Sequence, residues 1–225
     1  MYNITYEDLI FEMYFKLCLK IIEIKSSKNA LSYEEDISKW GQIHSLYFSE
    51  IITLHENCQS TNFQNRELEI YDYYCGYGYI RINNMLRKLE DKTDYIVSYA
   101  NDIENSINKF FVTEDVITFR RVKKNHVIRY TSGVIIEERG FISTSLNKNY
   151  RLNSQGHYMP LRNEAILIIE VSKGINAVYL EEALPKDRRR GEHELLIKNA
   201  YKFEVISNTK IFSNRIIHLK LKSLY

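Results

Sequence analysis

The residues that could do chemistry gather in the second half of the chain. The run Gly191-Glu192-His193-Glu194-Leu195-Leu196-Ile197 sets two carboxylates two positions apart at the head of an apolar stretch. On a strand, alternate side chains share a face, so Glu192 and Glu194 would stand roughly 6.5–7 Å apart with His193 pointing away. Like charges so close repel, and one of the two holds its proton more tightly than usual. A pair of solvated surface carboxylates is the alternative. Upstream, Ile117-Thr118-Phe119-Arg120-Arg121-Val122 carries two guanidinium groups in a strand-like run. It fits a solvated edge strand or, held rigidly, a fork for phosphate or ribose oxygens. Phe141-Ile142-Ser143-Thr144-Ser145-Leu146 offers three consecutive hydroxyls on a strand that otherwise looks core-bound. They suit either a half-exposed strand or the orientation of a catalytic side chain. Tyr74-Cys75-Gly76-Tyr77-Gly78-Tyr79, followed by Ile82-Asn83-Asn84-Met85-Leu86-Arg87, adds an aromatic cluster that reads first as packing.

Common site motifs fail. His193-Glu194 lacks the second histidine of a zinc H-E-x-x-H, and no cysteine pair has zinc-ligand spacing, so no metal is expected. Gly76-Tyr77-Gly78 lacks the third glycine and the preceding strand of a dinucleotide fingerprint. Neither a G-x-S-x-G elbow nor a phosphate-cradling G-x-x-x-x-G-K is present.

The elements that must position these residues change type midway. Ile10, Met13, Leu17, Ile21 and Ile24 recur at helical spacing and predict one buried helical face. Ser32 with Glu35 fits a capping box, and Ile37, Trp40, Ile43, Tyr47, Ile51 and Leu54 continue the period. A third helical stretch runs from about Arg66 to Leu89, with a kink or loop expected at Cys75–Gly78. Tyr95, Tyr99, Ile103, Ile107 and Phe110 mark a fourth. Past Thr113, short runs rich in Ile, Val, Phe and Tyr predict strands at Val116–Val122, Phe141–Leu146, Ala165–Val171, Ala177–Leu180, His193–Lys198, Tyr201–Ile206 and Ile211–Leu221. Helices first and strands afterwards predict an α+β fold. One domain over 1–225 is expected, mainly helical over 1–112 and a β core over 113–225.

Composition sets the outer bounds. The 225 residues carry 31 Lys+Arg against 29 Asp+Glu, a net charge of +2 that argues against a nucleic-acid coat or a polybasic membrane binder. No apolar run approaches the ~18–20 residues a membrane span needs. Met1–Asp8 is acidic where a secretion signal would be basic. Three scattered cysteines (Cys18, Cys58, Cys75) give no disulfide framework.

Taken in order, the arginine at a strand end, the aromatic–S-T-S strand and the later E-x-E resemble the R-S-E class of mono-ADP-ribosyltransferase toxins. The nearest branch holds the actin-modifying binary toxins and the small Rho-modifying exoenzymes. The resemblance runs from about Tyr74 to Ile206 and includes Glu138-Arg139-Gly140-Phe141, Val171-Ser172-Lys173-Gly174, Ala177-Val178-Tyr179-Leu180 and Tyr201-Lys202-Phe203. It implies helices packed on a two-sheet, mainly antiparallel β core, with NAD as substrate and no metal. Arg120 would hold the dinucleotide, with the backbone of Arg121 at the nicotinamide amide. Ser143 would hold Glu194, the catalytic glutamate, and with Thr144 and Ser145 would contact NAD, while Glu192 would face the target. Tyr74, Tyr79 and Asn83 keep the family spacing for contacts to nicotinamide, ribose and adenosine. Tyr158 and Arg162 are the candidates for the nicotinamide-side loop. The target loop, Glu182 to Gly191, lacks the family's aromatic and carries Arg188-Arg189-Arg190 instead. Glutamate at position 192 implies an arginine on a host protein as acceptor. The chain would be a monomeric, secreted or delivered effector binding neither nucleic acid nor membrane. It carries no legible export signal, so action in the cytoplasm stays open. The rival readings are an NAD glycohydrolase without a protein target and a non-catalytic basic module built on Arg120, Arg121, Lys123, Lys124, Arg129 and Arg188–Arg190.

Overall fold

In this computed structural model the described residues are 5–28, 30–31, 34–44, 62–148, 163–184 and 192–222. Helix α1 (Tyr6–Ser26) begins at a capping box in which the Thr5 hydroxyl accepts from the Asp8 N–H and the Asp8 carboxylate accepts from the Thr5 N–H. Next come α2 (Glu34–His44) and α3 (Asn62–Tyr73). A π turn (Tyr74–Gly78) leads into α4 (Tyr79–Leu86), and α5 (Asp94–Ile107) follows. The expected interruption of the third helix is this π turn, where Gly76 leaves helical geometry (φ −77°, ψ −118°).

The chain then folds as β1 (Val116–Lys123), β2 (Ile135–Glu137), β3 (Ile142–Ser145), β4 (Glu164–Val171), β5 (Ala177–Tyr179), a one-turn helix α6 (Leu180–Ala183), β6 (Glu194–Ile197), β7 (Lys202–Ile211) and β8 (Asn214–Lys222). The strands form one sheet in the order β2-β7-β8-β4-β1-β3-β6-β5, antiparallel throughout except for the parallel β4–β8 pair. The α+β class is therefore as the sequence predicts. Its two halves, β2-β7-β8-β4-β1 and β3-β6-β5, are continuous through one residue pair, Phe119 opposite Ser145. Beyond it β1 and β3 diverge, so Arg120 and Arg121 face a split in the sheet.

Three elements depart from the sequence reading. Strand β2 was not predicted; it is three residues long and pairs with Lys202–Glu204 at the edge of the sheet. The polar run Ser207–Lys210 reads as a turn but lies in the β7–β8 ladder, and the chain reverses at Phe212, which takes a left-handed φ of 53°. The third departure concerns α1. Its buried stripe is Phe11, Phe15, Leu19 and Ile22, packed on Ile117, Phe119, Ile166, Ile168, Ile211 and Ile216. The predicted stripe is largely outside: Met13, Leu17 and Ile24 are 61%, 56% and 69% exposed. This helix is apolar on two sides, and periodicity alone cannot rank two apolar stripes.

Helices α3, α4 and α5 cover the other half of the sheet. Tyr71, Tyr74, Ile82 and Ile103 bury against Phe141 on the approach to β3, Val178 of β5 and Leu196 of β6. On α2, Ile37 and Trp40 join the core beneath β4, β5 and β6. Gly41 is needed there because a Cβ would lie 2.0 Å from the Tyr179 ring. The capping-box serine Ser32 and the periodic residues beyond His44 lie outside the described residues.

Candidate functional site

The split between β1 and β3 opens into a cleft of about 420 Å³. Arg120 and Arg121 of β1, Ser143 of β3, Glu194 of β6, Glu192 and the helical residues Tyr74, Tyr79 and Asn83 line it. Thr144 and Ser145 contribute to its wall as well. Residues spread over more than a hundred positions of sequence thus meet because the sheet order sets β1, β3 and β6 side by side.

Each hydroxyl of the S-T-S strand has its own partner. Ser143 stands beside the Glu194 carboxylate and favours its charged form. The buried Thr144 hydroxyl donates to the Leu195 carbonyl at 2.9 Å, and the Ser145 hydroxyl donates to the Glu192 carbonyl at 2.9 Å. Register places Ser143 opposite Leu196 and Ser145 opposite Glu194, so the whole strand braces β6 and the turn before it.

The two glutamates share the cleft, but not by strand alternation. Strand β6 begins at Glu194; Glu192 lies before it, and His193 between them has a left-handed φ of 49°. His193 does point away: it is buried, with Nδ1 3.0 Å from the Tyr179 hydroxyl. The turn is held by the Glu181 carboxylate of α6, which accepts from the backbone N–H of Glu192 at 2.9 Å and of His193 at 3.3 Å. Glu192 is exposed, whereas Glu194 is half-buried.

Burial pushes the Glu194 carboxyl up to about 7. Ser143 and Arg120 pull it down, while the charges of Glu192 and Glu181 push it up. Its proton is thus held near neutrality, in a cleft with a guanidinium for company. Burial also drives the Tyr74 hydroxyl far above its ordinary range, with the nearby Glu194 adding to the shift, so Tyr74 stays neutral.

Asn83 is committed at both ends. Its Nδ2 donates to the Tyr74 hydroxyl at 3.0 Å, and its Oδ1 accepts from the Phe141 N–H at 2.8 Å. It fixes the tyrosine and the approach to β3 together. Gly140 has to be small here, since a Cβ would fall 2.8 Å from Asn83 Oδ1 and 2.9 Å from Arg87 Nη2. The Arg121 side chain turns to β4, where Nε meets Glu164 at 2.5 Å. Tyr158, Arg162 and Arg188–Arg190 lie outside the described residues.

A model of the ADP-ribosyltransferase exoenzyme family matches residues 37–223. The chain belongs to that family. Solved structures agree on the fold: Plx2a, an ADP-ribosyltransferase toxin from Paenibacillus larvae, is 16% identical with a TM-score of 0.66, covering 87% of this chain and 100% of its own. The Clostridium limosum C3 exoenzyme is 18% identical at a TM-score of 0.67, over 87% and 98%. BECa of a C. perfringens binary enterotoxin, solved with NADH, is 20% identical at 0.67, over 87% of this chain and 50% of its own. No curated protein matches the chain in sequence. Among the described residues no helix is long and apolar enough to cross a membrane.

Within this family member, two residues near the site were given no role by the sequence reading. Arg120 also lines a second cavity, of about 630 Å³, with Arg87, Tyr130, His126 and Glu138. Arg87 follows Asn83 by one helical turn, a legible signal, and its Nε is bound to Glu138 at 2.8 Å. Glu181 had no local signal; only the fold brings it eleven residues along the chain to the backbone of Glu192.

Proposed function

We propose that the chain is an NAD-dependent mono-ADP-ribosyltransferase that modifies an arginine side chain of a target protein. The observation that carries this reading is the convergence of Arg120, Ser143 and Glu194 in one cleft, with Glu192 exposed beside it. Arg120, shared by the two cavities, is the guanidinium for the NAD diphosphate, and Arg87 extends that cationic track. The carboxylate of Glu194 faces the ribose as the bond from its C1′ to the nicotinamide nitrogen breaks. The electron pair leaves with nicotinamide, which departs neutral, and the cationic sugar left behind is stabilised by the Glu194 charge. A bound cationic pyridinium and Arg120 both favour the ionised form of that carboxyl. Ser143 keeps it aimed. A nitrogen of the acceptor guanidinium then bonds to C1′, and the proton it sheds passes to Glu192.

Tyr74 and Tyr79 form the aromatic wall, and Asn83 acts chiefly through Tyr74. Thr144 and Ser145 serve by holding β6 and its turn rather than by touching the dinucleotide. A host protein is the partner class, in keeping with the toxins among the solved relatives.

The test compares nicotinamide release from NAD with labelling of a guanidino acceptor in Glu192→Gln and Glu194→Gln, side by side. Glu194→Gln should abolish both; Glu192→Gln should abolish labelling and retain much of the release. Equal loss of both activities in Glu192→Gln would remove the case for an arginine acceptor and favour plain NAD hydrolysis. Arg120→Lys, which keeps the charge and loses the planar fork, should raise the KM for NAD and lower turnover together.

A further inference from the structure

The turn that presents Glu192 is built around a carboxylate from another element. Glu181 stands on α6, directly after β5, and its Oε1 receives two successive backbone N–H groups, from Glu192 and His193. Successive amides converging on one anion form a nest, an arrangement that stabilises a left-handed residue beside it. His193 is that residue, at φ 49°, a conformation a non-glycine side chain resists. The carbonyls of the same two residues are held from the other side: Glu192 by the Ser145 hydroxyl and His193 by the Leu146 N–H, each at 2.9 Å. The Tyr179 hydroxyl, two residues before Glu181, adds the contact to the His193 ring at 3.0 Å. Without the Glu181 carboxylate, two amides lose their acceptor and the turn loses the anion that favours its strained residue.

We propose that Glu181 is a positioning residue for transfer: it fixes the Glu192–His193 turn and so decides where the acceptor-side carboxylate stands, while the cleavage residues on β1, β3 and β6 are held by other contacts. This rests on the assignment of Glu192 to the acceptor. The division follows from the contacts, since Glu194 is held by Ser143 and by the β3–β6 ladder, neither of which passes through Glu181. Glu181 has a second, purely electrostatic reach. The charged groups facing Glu194 are Glu192 and Glu181 against Arg120, with the neutral Tyr74 beside them.

The experiment uses the full chain, NAD and agmatine as the guanidino probe. Glu181→Ala should lower agmatine labelling about 10²-fold while nicotinamide release and the KM for NAD stay within a few-fold of wild type. Glu181→Gln keeps an oxygen acceptor for the amides and should retain most labelling. Its loss of charge should move the acid limb of nicotinamide release to lower pH, a change that mere loosening of the fold would not produce. Amide hydrogen exchange at Glu192 and His193 reads the clamp directly: it should accelerate in Glu181→Ala and remain slow in Glu181→Gln. Unchanged labelling, equal loss of labelling and release, or unaltered exchange in Glu181→Ala would overturn the proposal. If Glu192→Gln itself fails to separate the two activities, the acceptor assignment falls, and the exchange measurement still decides whether Glu181 sets the turn.

Discussion

Two carboxylates on one sheet, Glu170 of β4 and Glu194 of β6, show how the same group is driven in opposite directions by its surroundings. Glu170 is 8% exposed and sits between the Lys28 ammonium at 3.4 Å and His218 Nε2 at 2.6 Å. Burial alone would raise its pKa, but the hydrogen bond and charge of His218, joined by Lys28, hold it below the ordinary carboxylate value. Glu194 has a hydroxyl beside it, one guanidinium nearby and two further carboxylates at its back, and burial prevails. The difference lies in the partners. A buried carboxylate held by Lys28 and His218 ties the segment after α1 to the sheet; one left among its own kind keeps its proton toward neutrality.

The comparison breaks most sharply at Glu194. Its replacement by Gln should cut nicotinamide release by about 10³-fold with no loss of stability, since the charge it removes is costly to the fold. Retained release in that variant would return Glu194 to the structural class. Lys28→Met should do the opposite, stripping the ammonium from Glu170. We expect about 3 kcal/mol lost in urea denaturation, the lower end for a broken buried pair because His218 remains, with nicotinamide release per folded molecule unchanged.

The pH dependences should run in contrary directions. In the proposed mechanism Glu194 acts ionised, so release by the free enzyme should fall about tenfold per pH unit below about 7. Because its folded pKa is raised, Glu194 disfavours the folded state once ionised there: wild type should lose stability relative to Glu194→Gln as pH climbs from the ordinary carboxylate range through about 7. Glu170, with its pKa depressed, contributes stability above the ordinary carboxylate value that disappears as pH falls through the folded one. Urea titrations of wild type, Glu194→Gln and Glu170→Gln across that range would read both slopes. The smallest effect belongs to Ser143→Ala. Losing the contact that favours the charged form should shift the acid limb of release upward and lower maximal release severalfold, well short of the Glu194→Gln loss. An unmoved limb would dissociate Ser143 from Glu194.

The residue types of the candidate site are legible in the sequence, because guanidinium, hydroxyl and paired carboxylates stand in short motifs on strand-like runs. The switch from period 3.6 to period 2 near Thr113 was equally plain, and it separates α5 from β1. What misled was local ambiguity: α1 offers two apolar stripes, and the sheet selects the one with Phe11 and Phe15, the Phe15 ring lying 6.0 Å from that of Phe119. Ser207–Lys210 looks like a turn because its side chains are polar, yet the backbone ladder with Arg215–His218 is indifferent to that polarity.

By itself the sequence determined the chemistry available, the α+β class and the order of the motifs, since these depend on residue type and spacing within one element. Tertiary structure alone decided the rest. The sheet had to part after Phe119 and Ser145 for Arg120 to face Ser143 and Glu194 across a cleft. Glu181 had to arrive from α6 to hold His193 in a left-handed turn, because strand alternation breaks before β6 begins. Desolvation, the largest influence on Glu194, comes from packing elements that no window of sequence contains.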